Sequence, residues 1–116
     1  MRKTLKMLVV TLAAVSAVWA FVPNRSVSDR VIESEAESAQ AGLYRANCAR
    51  CHGADGHANT PAGRETDADD LTTGKVKGMV AARMAQIIKN GKGDMPAFKK
   101  LSAAQINGLV RYVKSL

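Results

Sequence analysis

Two cysteines three positions apart, with a histidine directly after the second, constrain this chain more than any other stretch: Cys48-Ala49-Arg50-Cys51-His52. Thiols this close would close only a very small disulfide loop, and no other cysteine is available to either of them. Redox or cofactor chemistry is therefore a better use of the pair than a structural staple.

The pattern reads as a covalent haem attachment site. Each thiol can add across one vinyl group to form a thioether, and the imidazole of His52 then faces the iron. A second axial ligand is expected downstream, in Asn90-Gly91-Lys92-Gly93-Asp94-Met95-Pro96-Ala97-Phe98. Pro96 cannot continue a helix and biases Met95 towards extended backbone, which leaves its thioether free to project inward from a loop. A soft thioether opposite an imidazole favours ferrous iron and closes the sixth position. Met84 falls on the apolar face of a helix and reads as core, while Met79 lacks the following proline.

Other uses of these residues fit less well. A zinc site from Cys48, Cys51, His52 and His57 would force adjacent side chains into one tetrahedron, and His57 reads as a surface loop residue. A thiol-disulfide oxidoreductase would place its Cys-X-X-Cys in a βαβ context, whereas these cysteines end a helix. Haem enzymology such as peroxide reduction needs an open sixth site. Glu65, Asp67, Asp69 and Asp70 lack the spacing of a calcium loop and read as a solvated acidic turn.

The chain opens with a basic head, Met1 to Lys6, followed by an uncharged run from Met7 to Val22. That is the layout of a secretory signal, with Ala20 before a cleavage point, or of an uncleaved N-terminal anchor. The expected organisation is residues 1–20 as signal or anchor, 21–33 as linker and 34–116 as one domain. The expected location is the periplasm, with association to the inner membrane through residues 1–22 if the segment is kept. Loss of Arg2, Lys3 and Lys6 lowers the basic count from 17 to 14 against 10 acidic residues, a net of +4. No block of basic residues with interleaved aromatics occurs, which excludes a nucleic-acid partner. Lys75, Lys77, Lys89, Lys92, Lys99 and Lys100 are expected to form a positive rim that attracts an acidic docking surface on a redox partner.

Three main helices and no strand are expected. Ser34-Glu35-Ala36-Glu37 matches a capping box, so a first helix is placed from about Glu35 to Asn47, with Ala36, Ala39, Leu43 and Ala46 on its apolar face. Residues 53–75 read mostly as loop. A second helix runs from about Val76 or Gly78 to Asn90, carries Val80, Met84, Ile87 and Ile88 on one face and ends at Gly91. Ser102 to Gln105 is another capping box, opening a last helix with an Ile106, Leu109, Val110 and Val113 stripe. About 80 residues bury too little surface for comfortable stability alone, so the haem is expected to complete the core.

With both ligand motifs and this helix order in place, residues 34–116 resemble a class I, single-haem c-type cytochrome of the small bacterial kind. Leu43-Tyr44 before the motif and Leu109-Val110-Arg111-Tyr112 in the last helix, where the terminal helices cross, carry the resemblance further. It implies an all-α cytochrome c-like fold around one covalently attached haem c, and a monomeric single-electron carrier that is not an enzyme. The alternative is a tethered cytochrome domain dedicated to one oxidase or dehydrogenase. The resemblance also implies that a proline carbonyl, here Pro61, accepts from Nδ1 of His52, and offers Arg64 and Lys75 as partners for the haem propionates. The chain departs from the pattern at Gln40, where a small residue is expected four positions before the aromatic.

Overall fold

The computed structural model describes residues 26–116, so the expected signal or anchor and residues 21–25 of the expected linker lie outside the described residues, whereas residues 27–33, also expected as linker, are helical. Six helices follow one another: α1 (Val27–Asn47), α2 (Ala49–His52), α3 (Pro61–Glu65), α4 (Gly74–Lys77), α5 (Ala81–Asn90) and α6 (Ala103–Ser115). Ile32–Leu116 form one compact unit, and residues 27–31 belong to the preceding one. The fold is all-α: the described residues contain no strand, only an isolated bridge between Lys92 and Met95.

α1 begins eight residues before the expected start. Ser26, not Ser34, caps it, with its hydroxyl accepting from the Asp29 N–H at 3.4 Å and donating to the Asp29 carboxylate at 2.8 Å. Ser26 to Asp29 has the same spacing as the later pattern, and no Gly or Pro interrupts residues 24–41, so helix propagates from the earlier cap. The inward face is also rotated from the expected one. Ala36, Ala39 and Ala46 are exposed, whereas Gln40, Leu43, Tyr44 and Asn47, at helical spacing, are wholly or partly buried. Tyr44, fully buried, decides the rotation because an aromatic side chain buries far more surface than alanine.

α6 supplies the largest share of the core. Ile106, Leu109, Val110 and Val113 are all buried, and Leu109 is 1% exposed. Burying a Leu of this kind stabilises by about 1.5–3 kcal/mol. The expected capping box is formed: the Ser102 hydroxyl accepts from the Gln105 N–H at 3.2 Å, and the Gln105 side chain accepts from the Ser102 N–H at 2.9 Å. From α5 come Met84 and Ile88, and from α4 comes Val76. α5 starts at Ala81, later than the expected Val76 or Gly78, because α4 ends with Gly78 as its C-cap; Val80, expected on the α5 face, instead occupies its N-cap and is 72% exposed. Near the other end of α6, Lys114 donates to the carbonyls of Lys77 and Met79 at 2.8 Å each, satisfying acceptors left at the end of α4.

The terminal helices meet through Tyr44 and Tyr112, whose ring centroids are 5.0 Å apart at 43°, within the range of favourable aromatic pairs. The departure at Gln40 is accommodated on the opposite helix. A Cβ at Gly108 would fall on the Gln40 amide, so the small residue that lets the helices approach sits on α6 rather than on α1.

Candidate functional site

α1 passes into α2 through Cys48, whose N–H still donates to the Tyr44 carbonyl at 2.8 Å. His52 N–H then donates to the Cys48 carbonyl at 3.0 Å, and Gly53 N–H to the Ala49 carbonyl at 2.9 Å. This single turn places Cys48 and Cys51 on one side, as helical residues three apart must be. Tyr44 fixes the exit from the turn, donating its hydroxyl to the Gly53 carbonyl at 2.8 Å. Burial keeps the Tyr44 phenol protonated well above its ordinary range.

The region expected to be loop holds the motif from the other side. Thr60 caps α3 by accepting from the Gly63 N–H at 2.8 Å, and its hydroxyl proton is shared between the carbonyls of Arg50 and Cys51, each 2.9 Å away. Gly63 is buried under the same turn, where a Cβ would collide with the Cys51 carbonyl. The Thr60-Pro61 step is a helix-start signal, Thr at the cap and Pro at the first helical position.

Pro61 therefore has a different place from the one expected. It is the exposed first residue of α3, and the oxygen that faces Nδ1 of His52, at 2.9 Å, is the Asp69 carbonyl. With Nδ1–H donated there, Nε2 is left with its lone pair for a metal.

Cys48, Cys51 and His52 line a cavity of about 570 Å³, a size that suits an organic cofactor. Its apolar wall comes from Leu71, Val76, Ile88, Leu109 and Val113, with Phe98 and Pro96 from the segment after α5. Met79, Met84 and Met95 all contribute to the lining, so the three thioether candidates share one space. They differ in their footing. Met84 is 6% exposed in the middle of α5, whereas Met95 belongs to a turn in which it and Lys92 exchange backbone hydrogen bonds of 3.0 and 3.1 Å. Gly91, with φ of 79°, lets the chain fold back there: a Cβ would lie 2.6 Å from the Met95 carbonyl oxygen.

Of the six lysines expected to ring the site, Lys92 alone lines the cavity, together with Arg50 and the carboxylate residues Asp67, Asp69 and Asp94. Arg64 and Lys75 are exposed and do not contribute to the lining. His57 is exposed, with Nδ1 3.2 Å from both the Asp70 carboxylate and the Thr72 hydroxyl.

Residues 35–113 match the family described as cytochrome c oxidase, cbb3-type, subunit III. The chain is a c-type cytochrome of this family. It is 41% identical over 80 residues to a cytochrome c6 of Leptolyngbya boryana, a match covering 67% of this chain and 91% of that protein. A cytochrome c6 of Cyanidium caldarium is 34% identical over 73 residues, 63% of this chain and 64% of that protein. The cbb3-type cytochrome c oxidase subunit CcoP of Azospirillum brasilense is 36% identical over 94 residues, 78% of this chain. The chain spans about a third of that subunit's length.

As a c-type cytochrome the protein carries covalently bound haem c, and the donor set fits that group: two thiols, an imidazole with its outer nitrogen engaged, and soft thioethers in one apolar cavity. The same geometry disfavours thiol-disulfide exchange. Burial, with a smaller contribution from Cys51, pushes the Cys48 thiol up to about 11, whereas an exchange-active cysteine needs a lowered value.

Proposed function

We propose that the protein is a one-electron carrier in which Cys48 and Cys51 form the thioethers, and His52 and Met95 are the axial ligands of a single haem c. When bound, that group supplies a ferric/ferrous couple, and the protein's residues set the conditions under which it works. His52 donates Nδ1–H to Asp69, which fixes the ring and raises the donor strength of Nε2. Met95, on its turn, would supply the second ligand, and Leu109, Val113 and Ile88 would pack apolar surface against the group. No substrate bond is made or broken in this reading.

One observation carries it: Cys48, Cys51, His52 and Met95 line the same cavity although Met95 lies 43 residues beyond His52. The test is the visible spectrum of protein expressed with a haem-attachment system. Haem resistant to acid-acetone extraction is expected, with a weak red methionine-to-iron band in the ferric state that Met95→Ala removes and Met79→Ala keeps. A band that survives Met95→Ala would move the sixth ligand elsewhere.

The partners in this reading are redox proteins, and the domain works as a monomer after export to the periplasm. A tethered form that serves one oxidase or dehydrogenase is the second reading, favoured by the similarity to a CcoP subunit and by the basic head and uncharged run of residues 1–22. No helix among the described residues is long and apolar enough to cross a membrane, and in this reading the tether is the N-terminal segment. The N-terminal residue of the exported protein separates the two: Phe21 means a free carrier, Met1 a tethered one.

A further inference from the structure

Asp69 reaches in two directions. Its backbone carbonyl accepts from Nδ1 of His52 at 2.9 Å, and its carboxylate Oδ2 lies 3.4 Å from Nζ of Lys92. Lys92 is in turn the residue whose N–H and carbonyl are both bonded to Met95. A single residue therefore links the imidazole on one segment to the methionine turn on another.

The two ends of this link are unequally held. On the Asp69 side the backbone is held before and after it: Ala68 N–H donates to the Gly63 carbonyl and Leu71 N–H to the Gly56 carbonyl, each at 2.8 Å. Asp70 accepts from the Thr72 N–H and hydroxyl at 2.8 and 2.6 Å. On the other side Lys92 stands between Gly91 and Gly93, both at positive φ, and glycines impose the least restraint on a turn. The Asp69 carboxylate thus acts from a rigid base on a segment with flexible joints.

We propose that Asp69 and Lys92 are a positioning pair that latches the Met95 turn over the sixth position. This rests on the assignment of His52 and Met95 as ligands. The pair is half-exposed, with side chains 52% and 57% accessible, so its effect is modest and is screened by salt.

The test is the limiting rate at which imidazole replaces the sixth ligand in the ferric holoprotein, followed by stopped-flow absorbance at low and high ionic strength. Asp69→Asn keeps the backbone carbonyl that orients His52 and removes only the charge. At low ionic strength Asp69→Asn and Lys92→Gln should each raise the limiting rate about two- to fivefold. The double variant should be no faster than the faster single one, and salt should bring the wild type to the rate of the variants. Single variants at the wild-type rate, or effects that multiply in the double variant, would overturn the latch. Met95→Ala is the separate control on the ligand reading. If it binds imidazole no faster than the wild type, Met95 is not the group that leaves, and the assignment fails together with the latch. If it binds faster while the Asp69 and Lys92 variants do not, only the latch fails.

Discussion

The Tyr44 hydroxyl donates to the Gly53 carbonyl over 2.8 Å, joining the first long helix to the residue directly after His52. Gly53 also accepts from the Gly56 N–H at 3.3 Å, so its carbonyl would keep one partner if the phenol were removed. Tyr44→Phe, which preserves the ring contact with Tyr112, should therefore cost about 0.5–1.5 kcal/mol rather than the larger penalty of an orphaned group. Chemical denaturation of the holoprotein measures it, with an unchanged slope expected.

At Gly108 two effects oppose each other. Alanine gains about 1 kcal/mol of helix propensity over glycine, but the added methyl must displace the buried Gln40 amide, and overpacking typically costs about 1–3 kcal/mol. The steric effect should win, leaving Gly108→Ala less stable than wild type. Shortening the opposing side chain relieves it, so Gln40→Ala combined with Gly108→Ala should be more stable than the sum of the single changes by about 1 kcal/mol. Additive stabilities in the double-mutant cycle would show that the two do not meet.

Gly91 combines a φ of 79° with close approach to the Met95 carbonyl. Gly91→Ala adds left-handed strain and a clash at the same atom, for a loss of about 1–3 kcal/mol. Because the clash falls on Met95 itself, the red methionine-to-iron band should weaken in parallel with stability. A destabilised variant with an undiminished band would place the methionine ligand outside this turn.

Asp70 sets an acid-side prediction. The Thr72 hydroxyl, then the Thr72 N–H, then His57 hold its carboxyl below the usual range. A depressed folded-state value stabilises the protein fully above the unfolded carboxylate value of about 4, and the contribution is lost as pH falls through the lower folded value. Asp70→Asn should be less stable than wild type near neutrality, and its stability should fall less steeply with pH in the acid range below about 4. Parallel stability curves for the two proteins in that range would show that the hydrogen bonds do not bind the charged form.

How much of this was legible in the sequence depended on the kind of signal. The capping box at Ser102 and the Ile106, Leu109, Val110 and Val113 stripe extend over more than three turns, and the last helix appears as expected. α3 and α4 are four or five residues long, too short for a periodic pattern, and only their capping threonines, Thr60 and Thr73, announced them. The start and face of the first helix are hard to read because two capping serines have the same spacing, and because small alanines on a helix face say little about which way it turns. The Pro61 expectation failed for a more general reason. The group that orients His52 is a backbone carbonyl, which every residue possesses, so nothing in the side chain of Asp69 marked it for that role. The residue read as part of a solvated acidic turn proved to be next to the imidazole.

The walls of the cavity are also the buried faces of α5 and α6: Met84, Ile88, Leu109 and Val113 belong to both. A ligand held there reversibly would make the stability of the domain a function of how much free ligand surrounds it, rising and falling with the logarithm of concentration. Thioether attachment at Cys48 and Cys51, as proposed, would cancel that dependence. A chain assembled this way would keep the ligand's contribution to its stability at any dilution.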